Sequence, residues 1–173
     1  MNEKSVTAVG ISGSPSKQSR SRGLLDHALG RLREHNVQTT LIDLAELPAD
    51  ALLGRRSDAG VQQALAQVER SAILVASTPV YRATYTGLLK VFFDLFQQRA
   101  LAGKVALGIA TGAAGEHRVV IEHGLRPLFA SVNAEVVPGI YATDADLANA
   151  ERREGILEQI DRAISEALRI SAE

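Results

Sequence analysis

The feature that most constrains this chain is a unit it repeats. A short apolar run stops at Ser, Thr, Gly or Pro, and a segment with helical spacing follows. The run Ala72-Ile73-Leu74-Val75-Ala76 ends at Ser77-Thr78-Pro79, and Lys104 to Ala110 (KVALGIA) ends at Thr111-Gly112. Neither alternates apolar with polar residues. Strands of that kind are covered on both faces, as in a parallel sheet flanked by helices. Val6 to Ile11 is a third such run, closed by Ser12-Gly13-Ser14-Pro15. Val37 to Leu44 (VQTTLIDL) alternates as a half-buried strand, and Ala134 to Val137 gives a last strand closed by Pro138-Gly139.

Helical spacing fills the intervals. Leu24, Leu25, Ala28, Leu29 and Leu32 form one stripe, ending near His35-Asn36, and Val61, Leu65 and Val68 form another. Thr86 to Phe96 is expected as helix, helical spacing resumes from about Val119 to Val132, and Ile156, Ile160, Ile164 and Leu168 mark an amphipathic tail over Ala150–Ile170. Leu47 to Ser57 is expected as loop. Strand and helix alternate about five times, which predicts an α/β fold. The expected architecture is a flavodoxin-like three-layer sandwich, a five-stranded parallel sheet of order 2-1-3-4-5. The 173 residues suit one domain spanning 1–173.

Composition removes several functions. There is no Cys, so disulfides, zinc–thiolate sites, iron–sulfur clusters and thiol nucleophiles are out. Lys plus Arg number 19 against 20 acids, a balance that argues against nucleic acid as partner. No apolar run approaches a membrane span, and MNEKSVTAVG lacks the apolar core of a signal peptide, so a cytoplasmic protein is expected. The histidines at 27, 35, 117 and 123 show no metal-ligand spacing, so no metal is expected.

In open α/β sheets ligands sit beyond the carboxyl ends of the strands. The loops there read GSPSKQSRS, TPVYRATYTG and TGAAGEH. The first carries Ser12, Ser14, Ser16, Ser19 and Ser21 interleaved with Lys17, Arg20 and Arg22, and runs into a helix. One serine would suit a helix cap. So many hydroxyls and cations at a helix N-terminus point to phosphate. The loop is neither a dinucleotide fingerprint nor a P-loop, since Gln18 follows Lys17. In the second loop Pro79 stiffens a backbone that can lie along a flat ring, with Tyr81 beside it; Tyr85 either joins it or packs on the following helix. In the third, Gly112 and Gly115 permit close backbone approach, and His117 either touches the ligand or faces solvent. No hydrolase triad or nucleophile elbow is present, so a bound cofactor must carry any redox chemistry.

Together GSPSKQSRS, TPVYRATYTGLLK, TGAAGEH and HGLRPLF resemble the NAD(P)H-dependent FMN reductases of the flavodoxin-like superfamily, over about Val6 to Asp146. The reductase components of two-component alkanesulfonate and methanesulfonate monooxygenases are especially similar. The resemblance implies that Ser14, Ser19, Arg20 and Ser21, with Ser16 in the same loop, hold the FMN phosphate. Pro79, Val80, Tyr81 and Arg82 would line the isoalloxazine, and Thr111, Gly112 and Gly115, with His117, would close its other edge. NADPH or NADH would pass hydride directly to flavin N5, and FMNH2 would leave for a partner monooxygenase of sulfonate or sulfone metabolism. Ala113 departs from the Thr-Gly-Gly often found in that third loop.

Gly124 and Pro127 interrupt the helical pattern after Arg118, so an irregular or π-bulged helix is expected. In similar reductases an inserted residue makes a π-helix at a subunit interface near the flavin. His123 is the matching position and a possible catalytic residue, or else a surface histidine at a kink. Leu88, Phe92 and Leu95, and Leu89, Phe93 and Phe96, form two stripes on one helix. A stripe left exposed would be an interface, which predicts a homo-oligomer, dimer or tetramer. Two other functions compete with FMN reduction and release: an FMN-retaining quinone or azo reductase, and a flavodoxin-type electron carrier. A net charge of −1 disfavours the carrier, which needs an acidic docking surface.

Overall fold

A computed structural model describes residues 6–172. Its strands are β1 (Thr7–Ser12), β2 (Gln38–Asp43), β3 (Ile73–Pro79), β4 (Val105–Gly112), β5 (Glu135–Val136) and β6 (Ile140–Thr143). Its α-helices are α1 (Arg20–Glu34), α2 (Ala49–Leu52), α3 (Ala59–Arg70), α4 (Gly87–Phe93), α5 (Arg126–Ser131), α6 (Asp144–Ala148) and α7 (Ala150–Ser171). The sheet is parallel with order β2-β1-β3-β4-β5, as the alternation requires. This is the flavodoxin-like order expected from the sequence.

The fifth sheet position differs from expectation, because two strands share it. β5 pairs only with Val105–Ala106 at the start of β4, and β6 pairs with Ile109–Gly112 at its end. Pro138-Gly139 separates them. Pro138 has no N–H to give a ladder, and Gly139 has room for no Cβ, which would stand 3.0 Å from the Gly108 carbonyl oxygen and 2.8 Å from Ile121 Cγ2. The chain therefore steps out of register and resumes pairing, which carries the fifth position up to the site end of the sheet.

The strands read as doubly covered are so. Ile73 to Ala76 and Val105 to Ala110 are all buried. On one face α1 and α7 supply Leu25, Leu29, Leu32, Ile160 and Ile164; on the other, α3, α4 and α5 supply Val61, Val68, Phe92 and Phe129. Fully burying one such side chain stabilises by roughly 1.5–3 kcal/mol, so these two layers are what hold the loops in place.

Three local expectations need correction. Leu47 to Ser57 is not all loop: a 3₁₀ turn over Leu44–Glu46 leads into α2, whose Ala51 and Leu52 are buried. α4 ends at Phe93, and Leu95 and Phe96 follow in i→i−3 turns, half-buried. The two stripes expected on α4 do not separate into a covered and an exposed one. Leu89, Phe92 and Phe93 are buried, Leu88 and Val91 are half-buried, and Phe96 packs edge-on to Phe92 with centroids 5.4 Å apart. The shortened helix rotates Phe96 back onto the aromatic cluster. The irregular helix expected after Arg118 is present: a 3₁₀ turn (Gly115–Arg118) is followed by a helix over 119–131 that carries a π turn (Ile121–Leu125) and continues as α5, with Pro127 near the start of α5.

Candidate functional site

The carboxyl ends of β1, β3, β4 and β6 surround a cavity of about 460 Å³, within the usual range for a cofactor-sized ligand. Registers align its rim: Ser12 stands beside Ser77, Pro79 beside Thr111, and Gly112 beside Thr143.

The first wall is the loop from β1 into α1. Its base is pinned on both sides. Gly13 donates its N–H to the Ser77 carbonyl at 2.8 Å, and its own carbonyl accepts from Thr86 Oγ1 at 2.6 Å. Ser14 is buried and its hydroxyl accepts from the Ser16 N–H at 3.1 Å, which curls the loop. Ser19 occupies the N-cap position of α1, yet its side chain makes no cap hydrogen bond; its hydroxyl pairs with that of Ser21 at 2.8 Å. The first turn holds no acid. A 15-residue helix thus presents amide donors and a positive dipole end to the cavity without a side-chain cap. That arrangement favours an anion.

The second wall is a hairpin. Val80 donates to the Thr111 carbonyl at 2.7 Å, joining this loop to the third. Tyr81 and Thr84 exchange backbone hydrogen bonds of 2.9 and 3.2 Å around Arg82 and Ala83, which adopt φ of 51° and 64°. Two consecutive left-handed residues define a type I′ turn, here without the usual glycine. Tyr81 is half exposed at the cavity mouth. It is the one aromatic side chain among the cavity's lining residues.

The third wall is the end of β4 with the turn that follows. A Cβ on Gly112 would stand 2.6 Å from the Tyr141 hydroxyl and 3.3 Å from His117 Nδ1, so any larger residue here would have to displace Tyr141. Tyr141, on β6, donates its hydroxyl to the Ala114 carbonyl at 2.5 Å. Burial, with the Asp144, Asp146 and Glu116 carboxylates adding to it, raises the pKa of this phenol, which keeps it a donor. Thr143 and Asp146 form a capping box at the start of α6, and the Thr143 hydroxyl and N–H hold the Asp146 pKa below its ordinary value.

Of the residues singled out in the sequence, Ser14, Ser16, Ser19, Arg20, Pro79, Val80, Tyr81, Thr111 and Gly112 line this one cavity. The others do not. Ser21 is buried beneath Ser19, Arg82 is at the exposed hairpin tip, and Gly115 and His123 are at exposed positions. His117 lies behind Gly112, its Nδ1 buried without a hydrogen-bond partner among the described residues. His123 sits on the π turn. That turn touches the second wall, where a Cβ on Gly124 would lie 3.2 Å from Tyr85 and 3.3 Å from Thr84. Gln18, Ala113 and Asp144 also line the cavity. Asp144 depends on the missed strand β6. The pattern Thr143-x-x-Asp146 after Ile140-Tyr141-Ala142 is the capping-box signal that could have revealed it.

The cavity fits FMN on the donors present: an uncapped helix end with Arg20 and hydroxyls for a phosphate, and backbone from Pro79, Val80 and Gly112 for a flat ring. Comparisons with known proteins agree. The chain is 37% identical to an FMN reductase (NADPH) of Pseudomonas putida over 173 residues, covering 97% of this chain and 85% of that one. It is 38% identical to the NADH-dependent FMN reductase SfnE of Pseudomonas putida over 149 residues, with coverages of 83% and 80%. Its fold matches the apo crystal structure of the NADH:FMN oxidoreductase EmoB with a TM-score of 0.86 and 33% identity, over 94% of this chain and 90% of that one. The family described as NADPH-dependent FMN reductase matches residues 6–147, and the chain belongs to that family of oxidoreductases.

Proposed function

We propose that this chain reduces FMN with NADPH or NADH and releases FMNH2 to a flavin-dependent monooxygenase. The observation that carries the assignment is the uncapped N-terminus of α1 opening into the cavity beside Ser14, Ser16, Ser19 and Arg20. Bound FMN supplies the acceptor for the nicotinamide hydride. The chain's own residues position it. Ser14, Ser16, Ser19 and Arg20 hold the phosphate, with Ser21 orienting Ser19 through the 2.8 Å hydroxyl pair. Pro79, Val80 and Tyr81 lie along the ring, and Thr111, Gly112 and Ala113 face its other edge. His117 backs Gly112 and Arg82 shapes the hairpin tip. His123 acts at a distance through the π turn.

Release of the reduced flavin is supported by the site's sparse aromatic lining, with Tyr81 half exposed and no second ring to sandwich the flavin. A monooxygenase of sulfonate or sulfone metabolism is the proposed consumer. Self-association, with the half-buried Leu88, Val91, Leu95 and Phe96 at the contact, is part of the same proposal. Among the described residues no helix is long and apolar enough to cross a membrane.

The test is oxidation of NADPH and NADH with FMN and riboflavin compared. Nicotinamide oxidation should require added flavin. The Ser19→Ala/Arg20→Ala variant should lose FMN affinity far more than riboflavin affinity. Equal losses for both flavins would remove the phosphate assignment, and yellow protein that keeps its flavin through gel filtration would favour a flavin-retaining reductase.

A further inference from the structure

Asp144 places a carboxylate where the proposed site receives a phosphate. Its Oδ1 lies 2.7 Å from Arg20 Nη1, and both residues line the cavity with Ser14, Ser16 and Ser19. The pair is not explained by stability. The side chains are 61% and 43% exposed, and exposed ion pairs contribute little to folding. Nor does α6 need this carboxylate for its cap, which Thr143 and Asp146 provide. Arg152 is turned to Asp146, at 3.7 Å. Arg22, the next cation of the loop, is held by Asp26 at 3.0 Å and Asp43 at 2.9 Å, away from the cavity. An anion entering at the α1 N-terminus therefore finds its nearest guanidinium already bound to a carboxylate.

We propose that Asp144 is a built-in competitor for the flavin phosphate: it holds Arg20, weakens binding of phosphorylated flavin selectively, and speeds flavin release. This rests on the assignment of the cavity to FMN. A guanidinium binds phosphate best with its fork free for two parallel bonds. While Asp144 keeps Nη1, the phosphate is left with the remaining nitrogens, and the bound carboxylate offsets the guanidinium's charge. If the phosphate takes Nη1 as well, Asp144 is left as an unpaired like charge beside it. Either way binding is opposed, and riboflavin, lacking the phosphate, escapes the effect.

Equilibrium quenching of flavin fluorescence tests this with FMN and riboflavin on the intact protein. Asp144→Asn should tighten FMN about three- to fivefold, from the size of partly exposed charge interactions. Riboflavin affinity should stay within about twofold, and FMN dissociation should slow by the factor gained in affinity. Asp144→Ala should give the same FMN-to-riboflavin ratio. Weaker FMN binding by Asp144→Asn would show that Asp144 orients Arg20 for the phosphate and overturn the proposal. An equal gain for both flavins or an unchanged ratio would overturn it too. Failure of the wild-type protein to quench FMN would instead refute the cavity's assignment.

Discussion

Gly13 and Gly23 flank the N-terminus of α1, and the structure predicts opposite outcomes when each becomes alanine. A Cβ on Gly13 would stand 3.0 Å from the Ser77 carbonyl oxygen and 3.0 Å from Leu89 Cβ. Neither neighbour is the tip of a flexible side chain. The Gly13 backbone cannot yield, because its N–H and carbonyl are both engaged, at 2.8 and 2.6 Å. Overpacking against fixed atoms costs about 1–3 kcal/mol. Taking about 2 kcal/mol, and about 2–4 °C per kcal/mol for a chain of this size, Gly13→Ala should melt about 4–8 °C lower. Gly23 lies inside α1 with nothing within 4 Å of its added Cβ. Gly23→Ala should therefore gain about 0.5–1 kcal/mol from helix propensity, raising the melting temperature by about 1–4 °C. Thermal unfolding followed by far-UV circular dichroism reads both. FMN titration adds a second axis: Gly13→Ala shifts the loop bearing Ser14 and Ser16 and should weaken FMN. A Gly13→Ala protein that melts with the wild type, or shifts in the same direction as Gly23→Ala, would refute the claim that this loop is clamped at its base.

Three further outcomes follow from local geometry. Tyr141→Phe removes the 2.5 Å bond to the Ala114 carbonyl; it should cost about 1 kcal/mol, or about 2–4 °C, and amide exchange over residues 112–118 should accelerate, whereas unchanged exchange would mean the latch does not hold that turn. Ala83→Gly relieves a left-handed residue at φ 64°; after the entropy glycine loses, a net gain of about 0.5 kcal/mol is expected, and a lower melting temperature would contradict the turn assignment. Asp146 has a folded pKa below its ordinary 3.8, held there by Thr143. Its contribution is therefore present above that value and lost as pH falls through the depressed one. Asp146→Asn should melt about 1–4 °C below the wild type at pH 7, from a capping loss of about 0.5–1 kcal/mol, and the two should converge as pH falls through that depressed pKa; a gap that persists in acid would place the effect elsewhere.

What the sequence revealed and what it hid divide along a physical line. Ile73 to Ala76 and Val105 to Ala110 could be read because strands buried on both faces carry no polar residue. The loops after them followed from topology alone, and nine of the thirteen cofactor residues named from sequence meet at one cavity. The irregular helix was legible because Gly124 and Pro127 break a local pattern. β6 was not legible, since its pairing is non-local: β5 covers only the first two residues of the eight-residue β4, and what fills the remainder is decided across the sheet. Asp144 followed β6 out of view. Ser21 and His117 lie outside the cavity lining for another reason. Residue type marks a loop as polar, but not which hydroxyl turns inward, and Ser21 turns in beneath Ser19.

The missed segment also closes a ring of contacts around the cavity. Gly13 to Ser77, together with Thr86 to Gly13, ties the first loop to the second. Val80 to Thr111 ties the second to the third, and Tyr141 to Ala114 ties the third to β6. Arg20 to Asp144 returns from α6 to the first loop. The hydrogen-bonded links are neutral and largely withdrawn from water, where an unmade bond is costly. The last is an ion pair open to solvent, worth about 0–1 kcal/mol. A ligand that must enter and leave can break one link of such a ring without disturbing the rest. The cheapest to break is the one whose cation a phosphate would claim. Rigid walls with one exchangeable ionic contact would suit the proposed release of reduced flavin, since the backbone of the second and third walls could stay ordered through a turnover while Arg20 changed partners.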